Sequence, residues 1–189
     1  IYHTAQSDYQ ETFYVINEIN KLRQQGYAYD DMAVLYRNNA LSRLFEDAMI
    51  KEGIPYIIYG GISFYERKEI KDALAYIRLI NDFNQDFYFK RIVNVPKRSI
   101  GLKSIQVLEE KAQSLGVSMF DAIDYVDLRP QAKSSLLEFK KMIIETKEAF
   151  DGMEDLYQIM PVLMQKTGYM AMLKAEDTEI AEDRIDNLK

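Results

Sequence analysis

The feature that most constrains the fold is a pair of short, unbroken apolar runs, Met32–Tyr36 (MAVLY) and Tyr56–Tyr59 (YIIY). Runs of this kind, bounded by turn-forming residues, are typical of strands buried on both faces of a parallel sheet. Helical spacing of apolar residues precedes the first run, over Asp8–Gln25, and separates the two runs, over Arg43–Lys51. Because the connections are short, this order predicts a βαβ unit with a preceding helix.

Strand signals end at the pair Gly60-Gly61, and helical patterns follow. They predict helices over residues 68–81, 86–93, 102–114, 118–125, 132–150, 156–167 and 169–175. We therefore expect an α/β fold followed by an all-α fold, with residues 1–59 in one domain and 60–189 in the next. About sixty residues are too few for a complete α/β domain, so its parallel sheet is expected to be partial.

Composition narrows the classes of function. The 189 residues include no cysteine, which excludes disulfides and thiolate sites and agrees with a reducing cytoplasm, the expected location. No run of about eighteen apolar residues and no signal-peptide pattern occurs, so no membrane association is expected. The single His3 lacks a second ligand at metal-binding spacing. Without a GxxxxGK(S/T) phosphate loop, no ATP site or catalytic centre is predicted.

The net charge of −6 is unevenly distributed. Residues 60–103 hold nine basic against five acidic side chains. Locally clustered Lys and Arg are the main source of affinity for polyanions, so this basic segment is a candidate phosphate-binding surface. An ordinary solvated surface, on which charge fluctuates by chance, accounts for it equally well.

Polar residues follow the first apolar run at Arg37, Asn38 and Asn39. Ligand sites of parallel sheets lie beyond the carboxyl ends of the strands, and Arg beside Asn suits a phosphate or a base edge. The alternative is a loop in which Asn merely tolerates turn geometry. A second cluster follows Gly60-Gly61, where Arg67 and Lys71 lie four residues apart on one face of a predicted helix.

The third cluster is Asn94–Gly101 (NVPKRSIG), which precedes a helix predicted to begin near Leu102. A small–apolar–Gly turn at a helix start resembles the hairpin of helix-hairpin-helix modules, where backbone N–H groups bind a DNA phosphate. Lys97, Arg98 and Lys103 would add positive charge.

Taken in order, AVLYRNNALSR, IPYIIYGGISFYERKEIKDALAYIRLI, RIVNVPKRSIG, TGYMAMLKAE and RIDNLK resemble the UvrD/PcrA-type superfamily 1 DNA helicases over nearly the whole chain. The resemblance implies that the first part belongs to subdomain 2A, a RecA-like parallel-sheet motor domain, and the second to the inserted, mostly helical subdomain 2B. It implies that the junction between 2A and 2B, about which the family rotates 2B, lies near Gly60-Gly61.

The resemblance also implies roles for matching positions. Tyr36, Arg37 and Asn39 would face the single-stranded DNA track, and Arg67, Lys68 and Lys71 would lie at the base of 2B. Ser99-Ile100-Gly101 stands where the family usually has Gly-Ile-Gly, a hairpin that touches the duplex backbone. Arg184, which the resemblance implies is a DNA-binding residue, opens a match to the family's R-x-E-N-L motif, with Asp186 in place of Glu.

By the same resemblance, the longer protein would use ATP and Mg²⁺ for 3′→5′ stepping on DNA at a single-strand/duplex junction, with the phosphate loop before residue 1. This chain alone is expected to bind no cofactor and to be inactive. Two alternatives stay open. One is a regulatory module whose acidic helical half, Phe120–Lys189, binds a protein partner; the other is a helicase–nuclease subunit of the AddA/RecB kind.

Overall fold

The structure is a computed structural model that describes residues 2–37 and 41–188. The chain divides into two compact units, Ile1–Arg67 and Lys68–Lys189. Within the described ranges, none of the helices combines the length and apolarity needed to cross a bilayer. The assignment of 1–59 to 2A and 60–189 to 2B stays a prediction, since compactness does not identify a subdomain.

The first unit is built on two helices, α1 (Asp8–Gln24) and α2 (Ser42–Glu52). Ser7 caps α1 by accepting from the Gln10 amide, and Gly53 ends α2 in the left-handed conformation at φ +66°. Short 3-10 turns lie at Tyr29–Asp31 and Phe64–Glu66. A small core packs α1 against α2 and the segments around them, through Ile16, Ile19, Met49 and Ile54.

The predicted parallel sheet is wrong, because the described residues contain no strand. Neither apolar run is assigned to a strand. Their burial alternates: Met32 and Val34 pack on the core, whereas Leu35 is 93% exposed and Ile57 75% exposed. An apolar run shows that its side chains suit burial on both faces. A buried strand also needs hydrogen-bonded strands beside it and packed elements over each face. Here only one face of each run is covered.

The second unit is helical, as predicted, and runs α3 (Lys68–Asn81), α4 (Asp86–Ile92), α5 (Leu102–Leu115), α6 (Met119–Ala122), α7 (Pro130–Asp151), α8 (Ile159–Lys166), α9 (Tyr169–Glu176) and α10 (Glu179–Asn187). Its core is aromatic, and Phe89 meets Phe139 edge to face at 5.6 Å between ring centroids. Helix α10 was not predicted from the sequence, although Thr178 caps it by accepting from the Ala181 amide.

Candidate nucleic-acid interface

The predicted single-strand track begins at the end of the first apolar run. The ring of Tyr36 is half-buried and lies parallel to that of Phe45 on α2, with 6.2 Å between centroids and 9° between planes. Arg37 follows at a bend and is exposed to solvent. Asn39 lies outside the described residues. The first unit therefore holds Tyr36 against its core and leaves the Arg37 side chain on the surface.

The segment that contains the glycine pair is fastened to α2 by one buried carboxylate. Glu46 is 2% exposed, and its oxygens accept from the Tyr56 hydroxyl at 3.3 Å and the Ser63 hydroxyl at 2.5 Å. The backbone N–H of Phe64 donates to the same carboxylate at 3.0 Å. Gly60 has a φ of +75°, a conformation that favours glycine. The glycine pair is therefore the tip of a loop whose two sides are both tied to Glu46.

A second carboxylate extends this attachment. The hydroxyl of Tyr65 donates to Oδ1 of Asp47 at 2.6 Å, and this hydrogen bond, with partial burial, raises the pKa of Tyr65 to about 12. The guanidinium groups of Arg43 and Arg67 lie 4.7 Å and 5.4 Å from the centroid of the buried Phe64 ring. Arg67, predicted at the base of 2B, thus has an aromatic contact within the first unit.

In the second unit, Lys68 is the exposed first residue of α3, and Lys71 is half-buried one turn later. Two acidic residues of α3, Glu69 and Asp72, are buried. Asp72 is 2% exposed; its Oδ1 accepts from Nη2 of Arg91 at 2.8 Å and its Oδ2 from the Tyr169 hydroxyl at 2.9 Å. Burial, and secondly the charge and hydrogen bond of Asp72, raise the pKa of Tyr169.

Two motifs that the sequence analysis considered separately meet through Glu69. Its Oε1 accepts from the side-chain amide of Asn187 at 2.7 Å, which joins α3 to the RIDNL segment of α10. Arg184, predicted to bind DNA, forms an ion pair with Glu176 at 3.0 Å. The sequence analysis did not single out Glu46, Arg91 or Tyr169. Their partners lie up to 97 positions away, so no local pattern marks them.

The 94–101 loop connects α4 to α5 and presents its small and cationic residues to solvent. Lys97, Ser99 and Gly101 are exposed, whereas Ile100 is 2% exposed and anchors the loop in the core. Ser99 adopts a φ of +59° at the position where glycine was expected. Gly101 precedes α5 without a side-chain cap, so the first amides of that helix have no intrahelical acceptor. Lys103 lies exposed in the same turn.

Arg98 differs from its neighbours, because its guanidinium is directed into the second unit. Nη1 lies within hydrogen-bonding distance of three backbone carbonyls, those of Ile92, Val93 and Pro96, at 3.1–3.4 Å. Nη2 donates to the Tyr76 hydroxyl at 2.9 Å and to the Thr167 carbonyl at 3.1 Å. Lys97, Ser99, Gly101 and Lys103 are therefore exposed within one short stretch of the chain, whereas the Arg98 guanidinium is held by protein acceptors.

The acidic side chains of the described residues do not converge on a metal site. Across residues 2–37 and 41–188, no three His, Cys, Asp or Glu side chains converge as metal ligands. The most buried carboxylates, Glu46 and Asp72, already accept hydrogen bonds from protein donors.

Comparison with known proteins gives a consistent result. The family profile of the UvrD-like helicase C-terminal domain matches residues 1–187. The ATP-dependent DNA helicase PcrA of Staphylococcus aureus is 38% identical over 190 residues, which cover 99% of this chain and 26% of that protein. PcrA of Staphylococcus epidermidis matches with the same identity and coverage. The chain thus spans about a quarter of the length of these relatives.

Proposed function

The chain belongs to the UvrD-like helicase C-terminal domain family, and on that premise we propose that it is part of an ATP-dependent DNA helicase and holds the backbone of its DNA substrate. The first unit contributes to the single-strand track of subdomain 2A. The second unit is the duplex-facing arm of subdomain 2B. ATP and Mg²⁺ would be bound by other parts of the longer protein, since this sequence contains no GxxxxGK(S/T) phosphate loop.

The observation that carries this proposal is the surface formed by the 94–101 loop and the start of α5. It offers two exposed ammonium groups, Lys97 and Lys103, beside the uncapped amides of a helix N-terminus. Backbone amides and cations at a helix N-terminus suit a phosphate and recognise no particular base. A helicase needs such a contact, because it must hold duplexes of any sequence.

In the first unit, the half-buried Tyr36 ring and the exposed Arg37 are proposed to line the track. Asn39, which lies outside the described residues, remains a proposed contributor from its sequence position. Stacking on an aromatic ring and pairing with phosphate are both tolerant of base sequence. Lys68 and Lys71, with Arg67, remain proposed contributors at the base of 2B. Arg98 and Arg184 are left out of the proposed surface, because protein acceptors already hold their guanidinium groups.

The experiment is a fluorescence anisotropy titration of this chain against a labelled duplex with a 3′ single-stranded tail, repeated over a series of salt concentrations. The test variant is Lys97→Ala/Lys103→Ala. Each lost phosphate contact should lower the slope of log K against log salt by about 0.9, so the double variant should lose roughly 1.8. Binding should not depend on duplex sequence.

The matched control is Lys141→Ala/Lys174→Ala, which removes the same charge from exposed positions on α7 and α9. We expect the control to keep the wild-type slope. Equal losses in both double variants would show that only net charge matters and would contradict a localised duplex contact. Absence of binding at the lowest salt, together with capture of a protein partner, would favour the interaction-module alternative.

A further inference from the structure

Arg98 lies in the middle of the proposed duplex-binding loop, yet it is partly buried and its guanidinium is directed at protein acceptors. Its two terminal nitrogens carry four N–H groups. They face five acceptors, namely the carbonyls of Ile92, Val93, Pro96 and Thr167 and the hydroxyl of Tyr76. A guanidinium whose terminal N–H groups all have protein acceptors has none left for a bidentate contact with phosphate.

The same side chain joins segments that are distant in sequence. The guanidinium carbon lies 5.2 Å from the centroid of the Phe139 ring on α7, and the Thr167 carbonyl belongs to the turn between α8 and α9. Tyr76 on α3 extends the contact: its hydroxyl accepts from Arg98 and donates to the Val95 carbonyl at 2.5 Å. Arg98 therefore attaches the loop to α3, α7 and the end of α8.

The backbone of the loop is closed around this side chain. The Arg98 amide donates to Oδ1 of Asn94 at 2.7 Å, and the Val95 amide donates to the Ile92 carbonyl at 3.0 Å. Ser99, immediately after Arg98, is held at a φ of +59°, which a residue with a Cβ adopts only when its surroundings impose it. The residues flanking Arg98 are exposed while Arg98 itself is drawn inward.

We propose that Arg98 is a positioning residue. It fixes the 94–101 loop so that Lys97, Ser99 and the first amides of α5 face the DNA backbone, and it binds no phosphate itself. Its role in DNA binding rests on the proposed function, whereas the fixing of the loop does not. A lysine cannot replace it, because a single ammonium with three N–H groups cannot serve five acceptors spread around a planar fork.

The test compares Arg98→Lys, Arg98→Ala and Asn94→Ala in the duplex titration and in amide hydrogen exchange without DNA. Arg98→Lys keeps the positive charge. If Arg98 itself contacted a phosphate, this variant should therefore keep most of the wild-type DNA affinity. We expect instead that it loses affinity as Arg98→Ala does, by roughly tenfold, because the loop's phosphate contacts are no longer held in place. Asn94→Ala changes no charge and should also weaken binding, by a smaller factor.

Hydrogen exchange reports on the loop without any DNA. In both Arg98 variants the amides of Val95 and residue 98 should exchange about tenfold faster or more, with those of α10 unchanged as an internal control. Near-wild-type affinity of Arg98→Lys, or unchanged exchange in the loop of Arg98→Ala, would overturn the positioning role. A wild-type chain that binds no duplex would overturn the proposed function. The exchange data would then test separately whether Arg98 fixes the 94–101 loop.

Should Arg98→Ala fail to fold by circular dichroism, Asn94→Ala carries the test, because it removes a single acceptor at the edge of the loop. Faster exchange of the residue 98 amide with weaker duplex binding at an unchanged net charge would support the proposal. Faster exchange with wild-type affinity would overturn it, since loop geometry would then have no effect on DNA binding.

Discussion

The buried hydrogen bond between Tyr169 and Asp72 allows a sharp test of the second unit. Tyr169→Phe removes one hydroxyl and keeps the ring, which is 1% exposed. The lost bond is 2.9 Å long and its acceptor, Asp72, is 2% exposed. Hydrogen bonds to charged groups contribute about 1.5–3 kcal/mol, and Asp72 keeps Arg91 as a partner, so we expect a loss of about 2 kcal/mol in unfolding free energy.

The assay is urea denaturation followed by the far-UV circular dichroism of the helices, at near-neutral pH. The matched control is Tyr157→Phe, because Tyr157 is 92% exposed and the same atom is removed. Surface changes of this kind usually lie within about 0.5 kcal/mol. A loss of less than about 0.5 kcal/mol for Tyr169→Phe would refute the reasoning, because the hydroxyl would then contribute no more than one in water.

The pH dependence of the unfolding free energy provides an independent test of the same hydrogen bond. Burial next to Asp72 raises the pKa of Tyr169 above its ordinary value of 10.0, so the folded state favours the neutral phenol. The stabilisation is therefore complete below about pH 10 and is lost as the pH rises further, when the unfolded chain begins to ionise. The difference in unfolding free energy between wild type and Tyr169→Phe should narrow by about 1.4 kcal/mol near pH 11. A difference that widens there would contradict this account.

Three further changes test other features. Glu46→Gln should destabilise the first unit by about 1.5–3 kcal/mol and speed amide exchange at Phe64, whereas the exposed Glu52→Gln should do neither. Ser99→Gly should raise the unfolding free energy by about 0.5–1 kcal/mol, because glycine adopts a φ of +59° without strain; a loss of stability in urea would contradict this. Leu35→Ser/Ile57→Ser should weaken binding of a hydrophobic dye and leave stability within about 0.5 kcal/mol, since both side chains are exposed; a larger loss would show that they pack.

Local sequence patterns predicted the helices well. Apolar spacing placed α3 over the same residues that the structure shows, because that helix buries one face in a continuous core. The same logic failed for the two apolar runs. An apolar run shows only that its side chains tolerate burial, and here Leu35 and Ile57 are 93% and 75% exposed. Pairing into a sheet depends on partners that a local pattern cannot supply.

The exposure of the candidate site's cations was only partly predictable from the sequence. The exposed Lys97 and Lys103 follow from their place in a turn and at a helix start. Arg98 carries the same charge in the same motif, yet its acceptors include the Thr167 carbonyl, 69 positions away. Composition identifies a cationic segment. Which cations face the solvent is decided by tertiary contacts that only the folded chain reveals.

The Glu46 attachment has a mechanical consequence. Because one carboxylate accepts from Tyr56, Ser63 and Phe64, the two sides of the glycine loop are fixed to α2 at a single point. Gly60 and Gly61 lie between these attachments, so the loop tip can change conformation without displacing Phe64. Loss of the Glu46 carboxylate would instead release both sides of the loop together.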